Sequence, residues 1–358
     1  MLNARVQLVV LAIAMFIHPQ AGYPQPARRP VAPEAAPPTA EALLAALAVH
    51  DARLRSLEWR QRVTVSLAWL SEPVAIQEGF LGFDDDGNWY RQDRYAVVPE
   101  VGQAPRYFER FIAAGDGEVR GLQRPDATKG LVRAPDGHDR ALYPTPETLL
   151  GRWLETACDC PMSEFLKAAR KHSVEPLQSG RVRLRAWRAV GAYSTFVDVD
   201  CDPQREYLPM RIEICDALLG SPIVTLETTE CQQRDGAWVP TRGTKTAWDR
   251  AWTDDQVEQL TAALEAEGFR KPWNPEDHAT EQAHRRAIEQ VFGRAGVPVR
   301  PLGMGTLTME VTEVTSINTP LDRVRFQLPY PQGWRVFNSL LDVMEDPDGS
   351  HRVPVERY

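Results

Sequence analysis

Tyr207-Leu208-Pro209-Met210-Arg211-Ile212-Glu213-Ile214 decides the fold. Successive side chains of an extended chain point to opposite faces. Leu208, Met210, Ile212 and Ile214 therefore share one face, and Pro209, Arg211 and Glu213 share the other. Such alternation specifies a half-buried antiparallel strand. Similar runs surround it. Residues 181–190 and 193–200 lead into it past Asp202-Pro203, and residues 223–232 and 238–248 follow, turning at Asp235-Gly236. Turn residues between alternating runs predict a meander of neighbouring strands. The meander needs a cover for its apolar face.

Earlier residues repeat the pattern. Residues 60–70, 77–83, 89–95, 107–113 and 118–122 read as strands, and Asp84-Asp85-Asp86-Gly87-Asn88 as a hairpin turn. That acidic run lacks the distal Glu of a calcium loop. Thr39 is placed to cap a helix over 40–57, with Leu43, Leu44, Leu47, Leu54 and Leu57 as its apolar stripe. A helical region over 146–172 presents Leu149, Leu150, Trp153 and Leu154, then Phe165 and Leu166 after the break at Pro161. Residues 254–268 and 275–294 read as two charged amphipathic helices, an insertion or lid before a last β segment. That segment holds Leu307, Met309 and Val311 in alternation, then residues 323–328 and 334–337.

The chain begins with the marks of an export signal over 1–22, one positive side chain (Arg5) ahead of an apolar run too short for a comfortable membrane span. Residues 23–40 are a Pro/Ala-rich linker. One domain over 41–345, carrying the helical insertion at about 254–294, and a mobile tail over 346–358 complete the expected organisation. Periplasmic or secreted location follows, with an uncleaved N-terminal tether as the alternative. The net charge of −8 argues against a nucleic-acid or anionic-membrane surface. Export permits disulfides, and five cysteines suggest two bridges and one free thiol.

No nucleophile motif, zinc-protease motif or phosphate-binding glycine loop is present. Asp198 and Asp200 share a strand face and could serve acid–base hydrolysis, although charges also protect strand edges. Neither a cofactor nor a metal is expected. Cys158 and Cys160 lack a second pair at zinc spacing. Aromatic side chains are the more suggestive set. Trp69, Phe80, Trp89, Phe111 and Trp153, with Leu208, Met210 and Ile212, are the candidate ligand-binding residues, lining an apolar cavity between a curved sheet and its helices.

The order of elements resembles the lipoprotein-carrier superfamily of exported bacterial proteins, the LolA/LolB-like fold. The resemblance rests on the helix around Leu43, on Gly79-Phe80-Leu81-Gly82-Phe83 through Gly87-Asn88-Trp89-Tyr90-Arg91, and on the strand from Tyr207. It extends to Asp235-Gly236-Ala237-Trp238-Val239-Pro240 and to a closing segment with Asn318, Leu321, Phe326, Pro331, Gly333 and Val336. It implies an α+β fold that is mainly antiparallel β: a curved, unclosed half-barrel with helices packed on its concave face. It also implies an exported, non-enzymatic carrier or binding protein for a lipid, an acyl chain or a lipoprotein. The alternative is an envelope sensor or protein-interaction module without a small ligand.

Overall fold

The computed structural model describes most of residues 38–354; the longest stretches outside the described residues are 98–105, 134–142 and 269–285. The stretch expected to be an export signal, nearly all of the Pro/Ala-rich stretch, Cys158 and most of the expected second insertion helix also lie outside them.

Among the described residues, sixteen strands form one sheet. The first meander comprises β1 (Leu57–Ser66), β2 (Val74–Phe83), β3 (Trp89–Val97), β4 (Arg106–Gly115), β5 (Glu118–Arg124) and β6 (Lys129–Arg133). The second comprises β7 (Lys171–Pro176), β8 (Val182–Val190), β9 (Tyr193–Asp202), β10 (Leu208–Asp216), β11 (Ser221–Arg234) and β12 (Ala237–Arg250). The long strand β13 (Val299–Ile317) lies between β1 and β12 and joins the two. Three short strands, β14 (Arg335–Asn338), β15 (Val343–Glu345) and β16 (Arg352–Pro354), extend the sheet beyond β6. The sheet therefore ends at two unpaired edges, β7 and β16, and is an open half-barrel. All neighbours are antiparallel except β6 and β14.

The opening strand behaves as its alternation predicts. Leu208, Ile212 and Ile214 are wholly buried, while Arg211 and Glu213 are half-buried on the other face. It starts at Leu208, because Glu206 and Tyr207 adopt left-handed backbone angles after a 3-10 turn over Pro203–Arg205. Asp202 caps that turn, accepting from the Gln204 N–H at 2.9 Å.

Helix α1 (Ala40–Arg53) packs on β7, β10 and β12, α2 (Pro146–Leu149) on β10 to β12, and α3 (Met162–Ala168) on β8. These define the inner face of the sheet. Thr39 caps α1 as expected, accepting from the Ala42 N–H. The helix ends at Arg53 rather than at Leu57, which instead opens β1. Asn318, at a left-handed position just past β13, secures this junction. Its amide donates to the Arg53 carbonyl at 2.7 Å and accepts from the Arg55 N–H at 2.8 Å.

Several other expectations are corrected. Residues 171–176 form the edge strand β7, so the helical region stops at Ala168. Strand β6, with the single apolar pair Leu131 and Val132, has too little alternation to announce itself. Residues 323–326 form a 3-10 turn rather than a strand. That turn belongs to a strap, described over 318–326 and at Tyr330, that lies on the outer face after β13. Phe326 on the strap packs against Tyr90 and Ala113. Tyr330 packs against Val132 and Val336. Residues 352–354, expected in a mobile tail, are strand β16.

Cys201, Cys215 and Cys231 are free thiols, which leaves too few cysteines for the two expected bridges. Cys201 is buried in the inner core, whereas Cys215 packs with Phe196 on the outer face. The sheet itself separates them. Burial pushes the Cys201 thiol up to about 12.

The outer face carries one row of opposite charges. Glu230, Arg242, Glu310, Arg62, Glu78, Arg94 and Glu109 are successive partners across β11, β12, β13, β1, β2, β3 and β4. All seven are exposed. Arg62 and Glu78 approach to 3.3 Å, and Arg242 and Glu230 to 3.5 Å.

Candidate functional site

The inner face of β1 to β4 is built in rows, each made of residues paired across neighbouring strands. Leu57, Phe83, Trp89 and Ala114 form an apolar row. Two residues along, about 6.6 Å away in a strand, Trp59, Leu81, Arg91 and Ile112 form the next. Gln61, Gly79, Asp93 and Arg110 form the third, and it is polar. Arg91 thus sits at the boundary between an apolar floor and a polar one.

The polar row is a continuous hydrogen-bonded chain. The Trp59 indole N–H donates to Gln61 Oε1 at 2.8 Å. Gln61 Nε2 donates to Gln77 Oε1 at 2.8 Å and to the Pro144 carbonyl at 3.3 Å. Gln77 Nε2 donates to Asp93 Oδ2 at 2.6 Å. Arg110 grips Asp93 with two bonds, at 3.0 and 2.8 Å. Gly79 makes room for this arrangement, since a Cβ there would lie 2.5 Å from the Asp93 Cβ.

Arg91 is the exception. Its side chain is 3% exposed, and its Nε stands 3.9 Å from Asp93 Oδ2, beyond hydrogen-bond reach. Nε and Nη1 are buried and have no hydrogen-bond partner among the described residues. Burial pushes the guanidinium down to about 10, with Asp93 opposing that shift, so it remains charged at neutral pH. The Tyr143 ring lies 5.9 Å from it.

The inner side chains of β1 to β4 are buried as well, under a different set of residues. The three helices pack on β7, β8 and β10 to β12. Over β1 to β4 the described cover includes Tyr143 above Arg91, the Pro144 carbonyl on Gln61, Arg152 over the Phe83 ring, and Leu54 and Leu150 in the cluster with Trp59, Leu81 and Trp89. Thr145 and Thr148 cap each other's backbone within it. A small cleft of about 10 Å³ remains beside it, lined by residues that include Leu47, Leu54, Leu150, Met162 and Trp238.

The residues anticipated as one ligand cavity are divided by the sheet. Leu208, Met210 and Trp89 are buried in one inner cluster and Ile212 in its neighbour. Phe80 and Phe111 lie on the outer face, packed with Tyr90 and Phe326 beneath the strap. There they help line an open trough of about 1260 Å³ that is otherwise rich in paired charges. Trp153 lies beyond α2 and is half-buried. Trp69 lies outside the described residues. Sequence reasoning missed Arg91, Asp93 and Arg110. The signal was present, since Arg91 and Asp93 alternate in phase with Trp89 on the inward side of β3.

Asp198 and Asp200 are not a catalytic pair. Arg185 holds Asp198 with bonds of 2.6 and 2.5 Å, and Arg183 holds Asp200 with bonds of 2.6 and 3.0 Å. Both carboxylates are buried on the outer face, each committed to its arginine. No group of acidic, histidine or cysteine side chains among the described residues could hold a metal ion. No helix among them is long and apolar enough to cross a membrane.

No family model matches the chain, and no curated protein matches it. Solved structures similar to it include the following two. One is a DUF1329 family protein from Desulfovibrio piger, 9% identical, with a TM-score of 0.41 over 80% of this chain and 97% of that one. The other is a LolA superfamily protein from Nitrosomonas europaea, 9% identical, with a TM-score of 0.40 over 82% of this chain and 100% of that one.

Proposed function

We propose that this protein is an exported, non-enzymatic binding protein that holds an acyl chain of a lipid or lipoprotein against the inner face of β1 to β4. The observation that carries the reading is the contrast within the inner face. Helices α1 and α3 pack on the β7 to β12 half, whereas Trp59, Leu81, Trp89 and Ile112 cluster with Leu150 of the segment 143–150, whose short helix α2 reaches on to β10 to β12. An acyl chain entering there replaces that segment as the cover. Each buried methylene contributes about 0.8 kcal/mol, which suits reversible carriage. Protein purified from its own cell envelope should carry an added mass of an acyl lipid in native mass spectrometry, and the emptied protein should take up Nile red. Protein that carries no lipid and takes up no dye would overturn the proposal.

A second reading concerns the insertion. Helix α4 (Asp254–Ala266) and the helical stretch 286–292 form their own small core of Leu260, Leu264, Ala287 and Ile288, with Val291 and Phe292 against it. That cluster draws all its members from the insertion, which favours a projecting module that meets an envelope protein over a lid on the sheet. Arg250 and Val299 are paired neighbours at its base. Replacing 251–298 by Asn-Gly should therefore leave a β12–β13 hairpin and change the unfolding free energy by less than about 1 kcal/mol. A variant that fails to fold would show that the insertion is part of the main core.

A further inference from the structure

We infer that Arg91 is the receptor for a carbonyl oxygen, so that the site selects acyl chains by their ester or amide linkage as well as by their hydrocarbon. The inference rests on the acyl-binding reading above and names the group that the site recognises.

A buried guanidinium is costly to leave with open donors, and proteins ordinarily pair every one. Here the neighbours are fully engaged with one another. Both Asp93 oxygens accept from Arg110, and Oδ2 also accepts from Gln77. The Gln61 and Gln77 amides are joined in the same chain. Glu147 also acts electrostatically on Arg91. Nothing in this set turns an acceptor toward Arg91 Nε and Nη1.

The charges around the site decide what kind of acceptor fits. Arg91 and Arg110 are balanced by Asp93 and Glu147, the charged groups that act on Arg91. The site lacks an acceptor, and it does not lack a negative charge. A neutral carbonyl meets that need without disturbing the balance, whereas a free carboxylate would add an uncompensated charge. Placement agrees with chemistry. Leu81 and Ile112 flank Arg91 across the strands, and Trp89 precedes it on the same face. A carbonyl on Arg91 leaves its hydrocarbon tail along that apolar side, with the polar row behind the head.

The test uses three short probes on the whole protein, read by displacement of Nile red: ethyl octanoate, N-ethyl octanamide and ethyl octyl ether. Ester or amide should bind about 10- to 100-fold more tightly than the ether, the worth of one hydrogen bond from a charged donor. Whichever of the two binds more tightly identifies a lipid ester or an acylated amine as the natural source. Arg91→Met should abolish this preference while keeping ether binding. Arg91→Lys, with a point charge in place of the fork, should retain part of the preference. Equal binding of all three probes by the wild type would overturn the inference and leave the acyl-binding reading standing. So would an Arg91→Met variant that keeps the preference, or an Arg91→Lys variant that folds and binds the ether but shows none of it. Failure of every probe to bind would overturn the acyl-binding reading, and this inference with it.

Discussion

Asp93→Ala should lower the unfolding free energy by about 3–5 kcal/mol, the cost of stripping a buried ion pair of one partner. Asp93 has no exposed side-chain surface. Removing its carboxylate leaves Arg110 and Arg91 facing each other in the interior and takes the acceptor from Gln77 Nε2. The effect has an internal check. Arg91→Met removes one of the two stranded charges, so Asp93→Ala should cost less in that background than in the wild type. A double-mutant cycle in urea measures the difference. Equal costs in both backgrounds would mean that the two side chains are energetically independent despite their proximity.

Trp59→Ala is the second large expectation, again about 3–5 kcal/mol. The side chain is 2% exposed and meets Phe83 edge to face at a centroid distance of 6.1 Å. Its indole N–H also begins the polar chain at Gln61. These two contributions can be separated. Trp59→Phe keeps much of the packing and deletes the donor, and should cost about 1–2 kcal/mol, close to the net worth of one buried hydrogen bond plus a small void. Far-ultraviolet circular dichroism is the appropriate signal, because the substitution alters fluorescence directly. A Phe variant as damaging as the Ala variant would place the whole effect in the hydrogen bond.

Much of this fold can be read from alternation, because a half-buried strand records its burial in every second residue. Leu208, Met210, Ile212 and Ile214 show this on β10, and Val63 and Val65 show it on β1. The record fails where a segment is short or its partners are remote. His172 sits on an edge strand of mixed burial, so nothing in its neighbourhood distinguishes strand from helix end. Arg323, Val324 and Arg325 alternate like a strand, yet the strap that holds them is fixed by Phe326 docking on Tyr90, far away in sequence.

The candidate site was harder to read for the same reason. Phe80 and Phe111 look as suited to a cavity as Trp89, and only strand pairing reveals that they face the other way. Arg91 looks like a surface residue until Leu81 and Ile112 are placed on either side of it. The family resemblance carried the general architecture further than composition or spacing could. It did not single out this arginine.

The row of opposite charges on the outer face bears on how the sheet finds its alignment. Sliding one strand past its neighbour by a single residue would turn the apolar set outward, which burial forbids. Sliding it by two residues keeps every side chain on its proper face, so burial alone scarcely opposes the error. Such a slip would set Arg62 against Phe80 in place of Glu78, and Arg94 against Phe111 in place of Glu109. Each lost pair forfeits only about 0.2–1 kcal/mol, but the row runs unbroken from β11 to β4. The exposed charges thus act as an indexing track. They help to distinguish the native alignment from slips by two residues, which leave every side chain on its own face.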